Sequence, residues 1–211
     1  MDKMNIRAFQ LNGNAKKDSI LCKFLINNAY LCSMNMKKII YLFAILLMLA
    51  GCNGTKVTEK LNQIDSLIAK EQIDSASVIH NSLNEADMSP EDKAHYYLLA
   101  TQLGYVTNHP LSSDSLLDMA ITYYNKVGNN QKLANAYYYK SARSRINQDY
   151  PQAILYCKQA ERLTGQSNDL LLQYKIAEYL AFLNGLCDND RLQLQYGKKA
   201  LAIAQRIQNK L

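Results

Sequence analysis

The stretch LANAYYYKSARSRINQDYPQAILYCKQAERL, residues 133–163, decides the fold. Apolar and small side chains recur at helical spacing on both sides of Asn-Gln-Asp at 147–149, which indicates two short helices joined by a tight turn. Asp149 is placed to cap the second helix, and Pro151 stands just inside its start, where a backbone N–H is not needed. Such a pair cannot bury its apolar face alone and needs neighbours of the same kind.

This pair resembles the tetratricopeptide repeat (TPR) family. The family pattern has an aromatic residue early in the first helix, a small residue four positions later, and two alanines in the second helix. Cys157 stands where the family has an aromatic residue, and Gly165 replaces its closing proline. The resemblance implies antiparallel helix pairs stacked as an α-solenoid with a concave binding face. The residues that match the pattern are Tyr137, Ser141, Ala153 and Ala160.

The second halves of the predicted pairs repeat along the chain. Aligning them gives spacings of 44, 33 and 40 residues, against about 34 for TPR proteins. No segment has the alternation of a strand, so we predict an all-α fold of about four pairs. The aligned inward positions are Ala76, Ala120, Ala153 and Gln193, with Leu83, Val127, Ala160 and Ala200 seven residues later. Helices are predicted at 57–70, 73–86, 90–105, 115–127, 169–184 and 191–209, besides the two in the central pair.

A leader, MKKIIYLFAILLMLAGC, occupies residues 36–52. Two lysines precede eleven apolar residues, which are too few for a membrane-spanning helix of about 20 residues but typical of a signal peptide. The leader ends in Leu49, Ala50, Gly51 and Cys52, which resemble the lipobox of bacterial lipoproteins. The resemblance implies cleavage before Cys52 and a diacylglycerol and palmitate anchor on that residue. A short membrane anchor with a chance cysteine is the alternative.

Residues 1–35 do not fit a signal peptide, whose basic residues stand at its start. We expect that the start codon has been assigned too far upstream and that Met36 is the true initiator, so that residues 1–35 are an over-called extension. A genuine cytoplasmic extension is the alternative. The predicted organisation is an extension at 1–35, a signal peptide at 36–51, the lipidated cysteine and a short linker at 52–57, and a TPR-like domain at 58–211.

The net charge of +6 does not indicate a nucleic-acid binder, because residues 1–51 alone carry a net charge of +5. The three histidines of the mature chain have no metal-binding or catalytic spacing, and no phosphate loop, nucleophile elbow or carboxylate pair is present. We therefore predict no enzymatic activity, no metal and no cofactor beyond the lipid. Cys157 and Cys187 are expected to be unpaired; a disulfide between them in an oxidising compartment is the alternative. Among the tyrosines, 97, 123, 137, 156 and 174 are expected in the core, and Tyr138 and Tyr139 are the better candidates for exposure.

TPR proteins bind ligands in the groove lined by the first helix of each pair. Carried onto this chain, the resemblance implies groove positions at Asn135, Tyr138, Ala142 and Arg145 in the third pair and at Lys175, Glu178 and Phe182 in the fourth. The alternative is that these side chains are merely solvated.

The sequence favours a lipid-anchored cell-envelope module that docks a protein or peptide without catalysing a reaction. The alternative is the periplasmic sensor region, cut short, of a membrane-bound TPR histidine kinase or transcriptional regulator. Asn53 is not the acidic residue that favours inner-membrane retention in some bacteria, so we expect the periplasmic face of the outer membrane. The final helix is expected to expose Leu194, Leu201, Ile203, Ala204 and Ile207. We therefore expect residues 53–211 to self-associate through them or to behave as a poorly stable monomer.

Overall fold

A computed structural model describes residues 52–109, 114–165 and 167–209. Over these ranges the chain is all-α, as predicted, and has no strand. The residues predicted as the extension and the signal peptide, including Leu49, Ala50 and Gly51, lie outside the described part. The helices are α1 Cys52–Ala69, α2 Ile73–Asn81, α3 Pro90–Val106, α4 Ser115–Val127, α5 Asn130–Ile146, α6 Tyr150–Thr164, α7 Leu170–Leu186 and α8 Asp190–Gln208, with a 3₁₀ turn at Glu85–Asp87.

The helices pack as four consecutive pairs. Each helix contacts the next one along the chain, and each odd-numbered helix also contacts the next odd-numbered helix. Contacts between near neighbours alone are the defining property of a solenoid. The odd-numbered helices α1, α3, α5 and α7 therefore form one row, and this row builds the site described below.

The central pair is held by close backbone approach, as its small residues predict. Ala153 and Ala160 of α6 are fully buried. Ser141 of α5 donates a hydrogen bond from its Oγ to the carbonyl oxygen of Ala153, with 2.7 Å between the two atoms. Cys157 is fully buried beside them, and its thiol contacts the carbonyl oxygen of Ile176 in the next pair at 3.7 Å. Burial raises the pKa of the Cys157 thiol to about 12, and this cysteine is unpaired, like Cys187.

The repeat is more regular than the alignment of the second helices suggested. Ser89, Asn129 and Asp169 cap α3, α5 and α7 with their side chains, at a spacing of 40 residues. The turns after these helices repeat at the same spacing, each with one residue of positive φ, at Asn108, Gln148 and Asp188. Each such turn closes with a hydrogen bond from the following N–H to a carbonyl five residues earlier, which is the Schellman arrangement.

Several local predictions were wrong. α2 ends at Asn81 rather than at residue 86, and α1 reaches back to Cys52, so residues 53–56 are helical. Val127 is 52% exposed because α4 ends there and Gly128, with a φ of 72°, turns the chain away. Tyr124 fills the inward position instead. Gln193 is also exposed, because the buried stripe of α8 consists of Tyr196, Ala200 and Ile203.

The tyrosines also differ from expectation. Tyr97 is buried as predicted, whereas the tyrosines at 123, 137, 156 and 174 are only half-buried. Tyr139 is 9% exposed, so it was a wrong candidate for exposure, and Tyr138 is half-buried like most of the tyrosines expected in the core. The reason is that α5 packs against α4, α6, α3 and α7, and little of its surface remains free.

Candidate functional site

A cavity of about 610 Å³ lies along the row of odd-numbered helices. Its lining comes from α1, α3, α5 and α7 and from the residues that begin or end them. No described residue of α2, α4, α6 or α8 lines it. We call the concave face formed by the four odd-numbered helices the groove.

The structure brings three of the seven predicted groove positions together in this cavity. Asn135 and Tyr138 line it from α5, and Lys175 lines it from α7. Asn135 and Tyr138 are half-buried, whereas Lys175 is exposed. Ala142, expected on the same face, is fully buried and offers no surface to a ligand.

The other three residues lie further along the same helices. Arg145 follows Tyr138 by seven residues, two helical turns, and so shares its face. Its Nε donates a hydrogen bond to the hydroxyl of Tyr179 at 2.9 Å, and its guanidinium carbon lies 5.9 Å from the ring centre of Phe182. Phe182 is 47% exposed. Glu178, also exposed, accepts a hydrogen bond from the Tyr174 hydroxyl at 3.1 Å on its own helix.

Five aromatic rings connect across α3, α5 and α7. Successive ring centres are 5.8, 5.2, 5.4 and 6.0 Å apart, which is the usual range for edge-to-face and offset pairs. Burial raises the pKa of Tyr138, Tyr139 and Tyr179, so these hydroxyls stay neutral. We call this set the aromatic ladder, and its members in spatial order are Tyr105, Tyr139, Tyr138, Tyr179 and Phe182.

Sequence reasoning missed three members of the ladder, Tyr105, Tyr139 and Tyr179. Tyr139 and Tyr179 are 40 residues apart and occupy the same position in α5 and α7. The 40-residue period of the helix caps was the signal that would have aligned them.

The charges in the cavity are unevenly paired. Asp65 of α1 contacts Nε2 of His95 at 2.7 Å, and Asp169 accepts a hydrogen bond from the side chain of Gln131 at 2.9 Å. Lys132 is half-buried, yet within the described residues neither it nor Lys175 forms an ion pair. Burial lowers the pKa of the Lys132 ammonium, and nearby carboxylates only partly oppose this effect. An acidic ligand group placed beside Lys132 would restore the electrostatic stabilisation that burial removes.

Other reactive groups are dispersed. The described ranges hold no group of three His, Cys, Asp or Glu side chains arranged to bind a metal ion. His80 is buried and stacked on Tyr96, with 4.1 Å between ring centres, and His109 is exposed. The turn at 188–190 acts as a capping turn: Asn189 accepts a hydrogen bond from the N–H of Leu192. No helix in the described residues has the length and apolar character needed to cross a membrane.

The second candidate site is Cys52, which is the first residue of α1. Residues 36–53 match the family model described as a prokaryotic membrane lipoprotein lipid attachment site. Comparisons with curated proteins and with solved structures found no match, and no TPR family model matches the helical domain. The match at residues 36–53 supports covalent lipid attachment at Cys52 and indicates a lipid-anchored lipoprotein of the bacterial cell envelope.

Proposed function

We propose that the protein is a non-catalytic interaction module, held to the membrane by its lipid, which docks a protein or peptide segment in the groove. One observation carries the proposal: the 610 Å³ cavity is lined by all four odd-numbered helices. A surface to which every pair contributes suits an extended ligand that contacts several repeats at once, as the binding surfaces of solenoids do. We place the protein at the periplasmic face of the outer membrane. In some bacteria an acidic residue after the lipid-bearing cysteine favours retention in the inner membrane, and Asn53 stands at that position instead.

The chemistry of the groove favours a ligand with two features. Lys132 and Lys175 lack ion pairs within the described part of the chain, so they favour an acidic group at that end of the groove. Phe182 presents an exposed aromatic ring beside Arg145, which favours an apolar or aromatic side chain there.

The spacing of these two features fixes the ligand more closely. Phe182 follows Lys175 by seven residues on α7, a rise of about 10 Å. An extended peptide covers about 3.3–3.6 Å per residue. We therefore expect an acidic residue and an apolar residue about three positions apart in the docked segment.

A displayed library of random peptides, selected on the lipidated protein in detergent, tests the proposal. Bound peptides should contain the acidic and apolar pair. Their affinity, measured by fluorescence anisotropy, should fall about tenfold, or about 1.4 kcal/mol, in Lys132→Gln and in Phe182→Ser. Leu155→Ser is the matched control, because Leu155 is 48% exposed on α6, close to the value for Phe182, and does not line the cavity.

Two results would contradict the proposal. One is a selection that yields no binding peptide. The other is a set of peptides whose affinity is equal for the wild-type protein and both groove variants, or which lose affinity only in Leu155→Ser.

A further inference from the structure

We infer that α1 is a rigid support which holds the helical domain at a fixed distance from the bilayer, with the edge at the start of α1 facing the lipid headgroups. The partner of this edge is therefore a lipid surface. The inference depends on lipid attachment at Cys52 and on the packing of α1, and it does not require a ligand in the groove.

The first argument is the continuity of α1. The helix starts at Cys52, the residue that receives the lipid, and continues without a break to Ala69. Leu61 and Ile64 are fully buried against the rest of the first pair and α3. Thr58 donates a hydrogen bond from Oγ1 to Oδ1 of Asp92 at 2.8 Å, and Asp92 is itself buried at the start of α3. The domain is thus fastened to α1 six residues after Cys52, which leaves about 9 Å of helix between them.

The second argument is the polarity of the remaining surface of α1. A helix that lies in the membrane interface needs an apolar face for the acyl chains. The apolar residues of α1 are instead used against α2 and α3. Helix α1 therefore cannot lie in the bilayer surface while it stays packed. Between residues 56 and 66 its exposed side chains are Lys56, Thr58, Glu59, Lys60, Asn62, Gln63, Asp65 and Ser66.

The neighbours of the start of α1 define which edge faces the lipid. The hydrogen bond from Thr58 brings the start of α3 beside the start of α1, and the 3₁₀ turn at Glu85–Asp87, which precedes α3, also contacts α1. We call residues 56–60, 85–87 and 89–91 the proximal edge. It carries two lysines and four acidic residues, so it has no basic surplus to attract anionic headgroups. The covalent lipid and the stiffness of α1, rather than electrostatic attraction, bring the proximal edge to the lipid headgroups.

The support also sets the height of the groove. Asp65 and Ile68 line the cavity from α1, and they follow Cys52 by 13 and 16 residues. At 1.5 Å per residue they lie about 20 and 24 Å from the lipid-bearing residue along the helix. A segment that docks beside Asp65 and Ile68 would therefore lie within that distance of the membrane.

Site-directed spin labelling of the lipidated protein in phosphatidylethanolamine–phosphatidylglycerol vesicles tests the inference. Single cysteines would replace Lys56 or Lys70, two exposed lysines of α1 and its following turn, in a Cys187→Ser background. Cys157 is buried and stays unlabelled. Collision with a nickel-chelating lipid headgroup should be several-fold greater at residue 56 than at residue 70. These positions are separated by 14 residues, or about 21 Å of helix.

A flexible Gly-Ser insertion between Cys52 and Asn53 provides the decisive comparison. It keeps the lipid and the fold but removes the stiff connection, so the difference between the two positions should largely disappear. Equal collision at residues 56 and 70 without the insertion would overturn the inference, whether both values are high or both are low. A difference that survives the insertion would also overturn it. Because no ligand is used, failure here leaves the docking proposal standing, and failure of peptide binding leaves this inference standing.

Discussion

Ala153→Leu is the sharpest test of how the helix pairs are held together. Ala153 is fully buried at the contact of α5 with α6, and its carbonyl oxygen lies 2.7 Å from the Oγ of Ser141. Leucine adds three carbon atoms where no space exists, so α5 and α6 must separate or the new side chain must leave its preferred rotamer. Overpacking of this kind costs about 1–3 kcal/mol. For a domain of this size each kcal/mol lowers the Tm by about 2–4 °C, so a fall of roughly 2–12 °C is expected.

The assay is thermal unfolding of residues 53–211, followed by far-UV circular dichroism. Ala202→Leu is the matched control, because it makes the same change at an exposed position of a helix and should shift the Tm little. If Ala153→Leu unfolds at the wild-type temperature, or if both variants fall equally, close backbone approach at Ala153 does not hold the central pair together.

Three further predictions concern the anchor, the last helix and pH. Cys52→Ala should abolish lipid attachment and leave an unprocessed precursor, measured by intact mass and detergent partitioning; a mature protein without lipid would contradict this. Leu201→Lys should suppress self-association of residues 53–211 in sedimentation at micromolar concentration, because Leu201 is 60% exposed on α8; a wild-type monomer would refute it. Burial lowers the pKa of His80 below its usual 6.5, so the unfolded chain takes up the proton first and stability should decline as the pH falls below about 6.5. His80→Gln should flatten this decline in Tm, and an unchanged slope would remove His80 as its cause.

The expected self-association now rests on a narrower surface than the sequence indicated. Ile203 is buried, and Ala204 and Ile207 are half-buried, because α8 turns these residues towards α7. Only Leu194 and Leu201 remain largely exposed of the five apolar residues expected there. Two leucines spaced by seven residues form a narrow strip, so we expect weak association.

Local chemistry explains why the helix boundaries could be predicted. Ser89 followed by Pro90 starts α3, and Asp149 followed by Pro151 starts α6, because a cap and a proline act on the nearest turn whatever the fold. The prediction for α4 agrees with its observed bounds. α2 was extended too far because its apolar pattern continues to Leu83, while the backbone already leaves the helix after Asn81.

The repeat period was harder to predict, because the two helices of a pair are constrained differently. α3, α5 and α7 are each 17 residues long, whereas the even-numbered helices have 9, 13, 15 and 19 residues. Each odd-numbered helix must fit both its own pair and the next odd-numbered helix. The even-numbered helices lack that second constraint, so aligning them gave unequal spacings.

The site could be predicted only in part, for a reason that lies in the row of helices. Ala142 of α5 and Phe182 of α7 occupy the same position of the 40-residue repeat, yet Ala142 is fully buried and Phe182 is 47% exposed. Ala142 packs in a core cluster with residues of α6 and α7, whereas α7 is the last odd-numbered helix in the described part of the chain. The apolar periodicity of one helix could not predict that Ala142 is buried and Phe182 exposed. This difference in exposure comes from the neighbouring helices and not from the position of the residue on its own helix.

The same comparison explains how the groove acquires an accessible end. Tyr138 and Glu178 are also equivalent positions, but Tyr138 is half-buried with its ring 5.4 Å from that of Tyr179, whereas Glu178 is exposed. The aromatic ladder therefore passes from helix to helix through covered positions and emerges at Phe182, where no described odd-numbered helix follows. Arg145 reaches this ring from α5 and fixes Tyr179 beneath it. A ligand that uses Phe182 thus contacts a ring whose surroundings are already ordered, so docking there requires little further loss of side-chain entropy.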